Sequence, residues 1–305
     1  MPFLPLLLLP AALLASSDVQ PQTELRHVAV IFRHADRAPL TTFPGDPNRN
    51  HRWPLGIGRL TTRGRANAYA LGRWLRSRYS RFLTDDPHEV YARSSPAPRC
   101  YESAALALYG LYPSNRDQKL WKPDQNWQPI PITRLPEGTD KYATICIPSL
   151  REAMKSLLAM EEPLYAAGET PSEPSHFRTL GTVLRFVARM SNITAESPSQ
   201  KFIAVTQILD AMFVAREYNL SVPTWAARYW RELEWALHGV LEGLSRSQMD
   251  HMAGALLSDV VTKIMHPDSP QPSLMRGSHN SDAVPKLTLM AYHDINIAGL
   301  LLGLK

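Results

Sequence analysis

The sequence predicts an α/β fold, a sheet domain interrupted by an α-helical insertion. Two observations carry this. Short apolar, β-branched runs at 26–32, 89–93 and 286–292 read as buried strands, each followed by a helical pattern. Between the second and third strands, residues 148–264 are mostly helical in pattern, with no internal repeat. The expected organisation is a signal peptide over 1–17, a sheet core over 18–140 plus 247–305, and a helical insertion over 141–246. Composition agrees with a globular chain. The 305 residues are 44% hydrophobic and 20% charged, which excludes disordered, collagen-like and disulfide-scaffold classes.

Residues 1–17 (MPFLPLLLLPAALLASS) hold an apolar stretch of signal-peptide length, Phe3 to Leu14, with small Ala15 and Ser17 at cleavage-type positions. A secreted or lysosomal-lumen protein is expected. The sequons Asn192-Ile193-Thr194 and Asn219-Leu220-Ser221 agree with that. No apolar run reaches the ~20 residues of a membrane-spanning helix.

The first strand, Arg26–Phe32, runs into Arg33-His34-Ala35-Asp36-Arg37-Ala38-Pro39. Residues 43–58 hold three Pro and three Gly and form a loop. Thr61 or Thr62 caps a helix to about Tyr79. Its buried side is expected to carry Ala66, Ala70, Leu71, Trp74 and Leu75, and its solvated side Arg65, Arg73, Arg76 and Arg78. The second strand, Glu89–Arg93, precedes a helix over 99–109 with Cys100 in the core. The Pro-rich residues 111–136 read as an irregular crossing. Helices follow at 149–160, 176–190, 200–217, 223–243 and 247–264, with Trp225, Trp230 and Trp235 as core. A polar loop over 266–285 leads to the third strand, Lys286–Tyr292, then His293-Asp294 and an apolar helix over Ile295–Leu304.

The chain has no nucleophile elbow, Walker A loop, His-Glu-x-x-His or Cys-x-x-Cys. What remains is a constellation at three strand ends: Arg33-His34 with Arg37, then Arg93, then His293-Asp294. In open α/β sheets, ligands sit beyond the carboxyl ends of the strands. If these strands are parallel neighbours, Arg33, His34, Arg37, Arg93 and His293 converge. Five such groups repel one another unless an anion is present, and tetrahedral phosphate matches Arg forks and helix N-termini. The arginine preference, 25 of 33 basic residues in a chain of net charge +5, adds a little to that reading. His34 is a competent nucleophile for a phosphoryl group, and Asp294 could give the leaving oxygen its proton, which implies an acidic optimum.

These residues resemble the histidine acid phosphatases, most closely the prostatic and lysosomal types. The match rests on Arg33 to Pro39 after a strand with His293-Asp294 near the C-terminus. It extends through Trp53-Pro54, Gly58-x-Leu60-Thr61-x-x-Gly64, Tyr91-Ala92-Arg93-Ser94, Trp127-Gln128-Pro129-Ile130-Pro131 and Pro223-x-Trp225-Ala226, about Leu25 to Leu302. The resemblance implies a phosphoglycerate-mutase-like α/β sandwich core with an inserted α-helical domain. It implies hydrolysis of small phosphomonoesters through a phosphohistidine on His34, with Asp294 as proton donor. Arg33, Arg37, Arg93 and His293 would hold the phosphate. No metal, cofactor or nucleic acid is implied, and a homodimer is left open.

Three departures accompany it. Ala35 replaces a family glycine, and tolerance is expected. The chain stops 11 residues after Asp294 (305 − 294), where the family continues with a strand and paired cysteines, so a truncated product of reduced stability comes into view. Cys146 is therefore expected to be unpaired. The competing readings are a phytase or lysophospholipid phosphatase of the same fold, a catalytically weak or inactive secreted protein binding a phosphorylated ligand, and a polyanion binder using the arginines at 63–81.

Overall fold

Four strands form one sheet: β1 (Val28–Arg33), β2 (Val90–Ser94), β3 (Ile132–Arg134) and β4 (Leu287–Tyr292). The order is β1-β4-β2-β3 and every pairing is parallel. The structure is a computed structural model describing residues 24–114, 124, 126–145, 147–159, 177, 179–194, 197–265 and 285–304. The expected signal peptide, Cys146, much of the Pro-rich crossing and the loop 266–284 lie outside the described residues.

The sheet is covered on both faces, so all six residues of β4, one of its two inner strands, are buried. On one side Leu287 and Leu289 pack with Leu75, Ala107, Leu108 and Leu111, from helices α1 (Thr62–Arg78) and α2 (Pro98–Leu111). On the other, Met290 and Tyr292 pack with Tyr142, Leu256 and Leu300. Five helices share a second core: α3 (Ile147–Ala159), α4 (Leu180–Met190), α5 (Pro198–Glu217), α6 (Thr224–Arg228) and α7 (Trp230–Ser247). Capping boxes at Thr179/Thr182 and Ser197/Gln200 start α4 and α5. Phe43, from the loop after β1, packs into this helical core. A π turn (Met249–Gly254), α8 (Ala255–Met265) and α9 (Asp294–Gly303) complete the order. Among the described residues no helix is long and apolar enough to cross a membrane.

The expected α/β sandwich with inserted helices is the observed architecture, with local corrections. The buried stripe of α1 is Gly64, Ala68, Gly72 and Leu75, while Ala66 and Ala70 are exposed and Trp74 is 58% accessible. Close backbone approach decides this. A Cβ on Gly72 would lie 1.9 Å from the Ala107 carbonyl oxygen, and one on Gly110 2.2 Å from that of Tyr69. The two helices dock through glycine, so size outweighs hydrophobicity in choosing the face. The crossing read as irregular contains β3, three residues on the sheet edge directly after Pro131. The single helix expected over 223–243 is two, joined at Tyr229, whose ring packs on Phe177 and Phe186.

Gly72→Ala is expected to destabilise the fold by about 3 kcal/mol, the upper part of the overpacking range, because the obstructing atom is backbone. Urea unfolding reads this out, and a midpoint equal to wild type would refute the seam.

Candidate active site

The parallel register delivers the site. Beyond the strands, the His34 amide donates to the Tyr292 carbonyl at 2.9 Å and the Ser95 amide to the Ala291 carbonyl at 3.0 Å. The ends of β1 and β2 are thereby pinned to the end of β4, one on each side. His34 is buried, and its ring lies 5.6 Å from that of His293, centre to centre, at 75°.

His34 Nδ1 lies 2.9 Å from the Ala35 carbonyl oxygen. A carbonyl only accepts, so Nδ1 carries the proton and Nε2 keeps its lone pair. The Ala35 amide donates to Ser103 Oγ at 2.9 Å, and that hydroxyl donates to the Arg99 carbonyl at 2.8 Å. Ala35 does not need a glycine: it is not among the non-glycine residues with positive φ.

His293 stands just before α9. Arg99 Nη2 approaches its Nδ1 at 3.4 Å, and its Nε2 lies 2.8 Å from Ser95 Oγ. Because a guanidinium only donates, Nδ1 accepts and Nε2–H donates to the serine. The Cys100 thiol lies beneath, buried, 3.7 Å from Nε2. Asp294 opens α9. Its Oδ2 accepts from Arg33 Nε at 3.2 Å and its Oδ1 from the Ile295 amide at 3.1 Å.

The expected crowd of cations is resolved by neutrality and by carboxylates. Burial, then the charges of Arg33, Arg99 and Arg37, pushes His34 down to about 3. Burial, then Arg99, Arg33 and Arg37, pushes His293 down to about 4. For Asp294, burial acts upward, but the Arg33 guanidinium outweighs it together with its hydrogen bond, and the carboxyl is held below its usual range. Arg37 is clamped by Asp210 of α5, with Nη1 and Nη2 each at 2.9 Å from one carboxylate oxygen. The Nε atoms of Arg37 and Arg99 are buried without a hydrogen-bond partner among the described residues.

Arg93 is placed elsewhere than expected. Its Nη2 donates to buried Asp140 at 2.8 Å, and its guanidinium lies 4.2 Å from the Tyr142 ring centre. Asp140 also accepts from the Tyr292 hydroxyl at 3.0 Å. Register explains this. Arg93 pairs with Met290, two residues before the end of β4, so its side chain leaves the sheet below the strand ends. The pocket guanidinium from this segment is Arg99, in the first turn of α2. A signal for it existed: a cation in the first turn of a helix opposes the macrodipole and calls for a reason. The arrangement gathers Arg33, His34, Arg37, His293 and Asp294 and adds Arg99, with Asp210 behind Arg37. Such a pocket suits a phosphoryl anion, a neutral imidazole nucleophile and a carboxyl acid.

A family model described as the histidine phosphatase superfamily (branch 2) matches residues 24–160. The lysosomal acid phosphatase of Xenopus laevis is 29% identical over 97% of this chain and 66% of its own length. The testicular acid phosphatase of Mus musculus is 35% identical over 73% of this chain and 49% of its own. The fold is similar to that of a Hafnia alvei phytase in complex with tartrate, at TM-score 0.59 and 14% identity, covering 92% of this chain and 75% of that one. This chain thus spans between about half and two thirds of the length of these two curated relatives.

Two outcomes are expected. Arg93→Met leaves Asp140 charged and unpaired in the core and should cost about 3–5 kcal/mol in urea unfolding; a loss below about 1 kcal/mol would contradict the buried pair. The depressed histidines also set a pH dependence. Between pH 6.5 and about 4 the unfolded chain binds protons that the folded one does not, so stability falls on acidification. The slope is at most about 1.4 kcal/mol per pH unit for each histidine. Urea midpoints from pH 6.5 to 4.5 should fall less steeply in the double variant His34→Gln/His293→Gln; equal slopes would exclude neutral burial.

Proposed function

We propose that this chain, whose residues 24–160 match the histidine phosphatase superfamily, is an acid phosphatase hydrolysing small phosphate monoesters at the ends of β1 and β4. The observation that carries the reading is His34: buried, fixed in one tautomer by Ala35, with Nε2 unprotonated among the guanidiniums of Arg33, Arg37 and Arg99.

In the proposed reaction the phosphoryl oxygens are held by those three arginines, which supply charge stabilisation where it develops, and His293 joins them when the nearby dianion favours protonation of its Nδ1. His34 Nε2 attacks phosphorus in line; the Nε2–P bond forms as the ester P–O bond breaks. Asp294 gives its proton to the departing oxygen. A water then attacks the phosphohistidine, Asp294 takes the water's proton, and the N–P bond breaks to release phosphate. Arg33 holds the Asp294 carboxyl below its usual range. A bound dianion draws on Arg33 and adds negative charge nearby, which raises the Asp294 pKa and readies it as an acid at low pH.

A secreted or lysosomal setting fits this reading, supported by the N-terminal sequence and the lysosomal relative. Asn192 and Asn219 of the two sequons are exposed at φ 50° and 55°, just past the ends of α4 and α5, where a glycan would clear the helices. We place the helical insertion at 141–246, supported by the core that α3 to α7 share.

An aryl phosphate assay at about pH 5 without metal tests the reading. His34→Ala should lose activity by at least about a thousandfold. Arg99→Ala should raise the inhibition constant of inorganic phosphate about tenfold or more, whereas Arg93→Met should leave it within about twofold. Equal turnover of wild type and His34→Ala would end the phosphohistidine proposal. Phosphate binding without turnover at any pH would favour a non-catalytic binding protein.

A further inference from the structure

We infer that Asp210, on helix α5 of the insertion, is a positioning residue that aims Arg37 at the phosphate; this deepens the hydrolase reading and rests on it. Asp210 sits between buried Leu209 and Ala211, in a helix whose other inward positions are apolar. Nothing in helix packing asks for a carboxylate there. What the carboxylate meets is the end of the Arg37 fork, with Nη1 to Oδ2 and Nη2 to Oδ1 both at 2.9 Å. Arg37 is 7% accessible at the side chain and Asp210 24%. Nη1 also donates to the Ala38 carbonyl at 3.2 Å.

Guanidinium geometry gives the clamp its direction. Five N–H groups lie in one rigid plane. A carboxylate on the Nη1/Nη2 end leaves the Nε–H and the outer Nη2–H along one edge, and Nε is the buried atom without a partner among the described residues. Asp210 thus fixes the plane and leaves one bidentate edge for an anion. The backbone of Arg37 is anchored separately, bridging Leu60. Without Asp210, a long side chain beside the like charges of Arg33 and Arg99 keeps only the 3.2 Å hydrogen bond to the Ala38 carbonyl, which does not fix its plane.

Charge alone argues the opposite sign, which makes the inference sharp. If Asp210 were only a counter-charge to a crowded pocket, neutralising it would strengthen the field and tighten phosphate binding. If it aims Arg37, neutralising it weakens binding. The two roles also differ in their dependence on Arg37.

The experiment is calorimetric titration of the full chain with inorganic phosphate, comparing wild type, Asp210→Asn, Asp210→Ala, Arg37→Ala and Arg37→Ala/Asp210→Asn, alongside kcat and KM for an aryl phosphate. Asp210→Asn is expected to raise the phosphate Kd about tenfold or more, as loss of a charge-assisted pair allows, and to raise KM more than it lowers kcat. In the Arg37→Ala background it should add less than about twofold, since the two residues act as one unit. Asp210→Asn keeps the side-chain shape and carries the comparison should Asp210→Ala not fold. Tighter phosphate binding in Asp210→Asn, or the same loss in both backgrounds, would overturn the inference. Wild type that binds phosphate without turnover would overturn the hydrolase reading and leave this comparison intact; wild type that binds no phosphate would overturn both.

Discussion

Three guanidiniums and two imidazoles cannot share a buried pocket as five cations. At an effective dielectric near 20, two like charges 4 Å apart repel by about 4 kcal/mol. The fold meets this constraint twice over. It strips the protons from His34 and His293 by burial among arginines, and it sets a carboxylate against two of the guanidiniums, Asp294 on Arg33 and Asp210 on Arg37. Much else follows. A neutral His34 is one whose Nε2 lone pair is free, and its tautomer is set by a carbonyl the chain itself supplies. The electrostatics that let the pocket fold are thus the ones that leave its imidazole neutral, as the proposed reaction requires.

The sheet makes this arrangement reproducible. Parallel pairing brings the ends of β1, β4 and β2 to one edge, and the amides of His34 and Ser95 continue the ladder one step past the last paired residues. Ser103 then joins two of the delivered segments through one hydroxyl, accepting from Ala35 and donating to the Arg99 carbonyl. Below the edge, Arg93, Asp140 and Tyr292 form a buried polar network under His293. Such a network is costly if half-satisfied and rigid when complete, which suits a support better than a contact surface.

Strands, helices and most of the site were legible from 26–39 and 286–304, because short buried strands and the residues that end them are local in sequence. The sequence does not reveal that Arg93 pairs with Asp140, because a strand-end position does not give register, and two residues along β4 separate the pocket from the core beneath it. Arg99 is hard to single out in sequence because it lies inside an expected helix, although its cation opposes the helix dipole. Asp210 had a fainter signal, one acid within a run of buried apolar residues. Its partner lies 173 positions away in sequence, and such pairings are not written in any local pattern. The face of α1 differs from the expected one for another reason: hydrophobicity favours Trp74, whereas backbone contact at Gly72 selects the smaller stripe.

The counter-ions differ in what a bound phosphoryl group would do to them. Asp294 shares Arg33 through a single Nε contact at the half-exposed mouth, so an arriving dianion competes with it directly. In the reaction we propose, its carboxyl is then pushed toward the protonated form when an acid is needed, and drawn back to carboxylate as phosphate leaves. Asp210 holds both terminal nitrogens of a buried arginine from behind, so the same dianion can use the remaining edge without displacing it. One aspartate is placed to exchange and the other to stay. In the proposed reaction that division lets a single pocket balance its own charge and also bind and protonate a phosphoryl group. On that reading the helical core shares in the chemistry, because the carboxylate that stays is carried on α5.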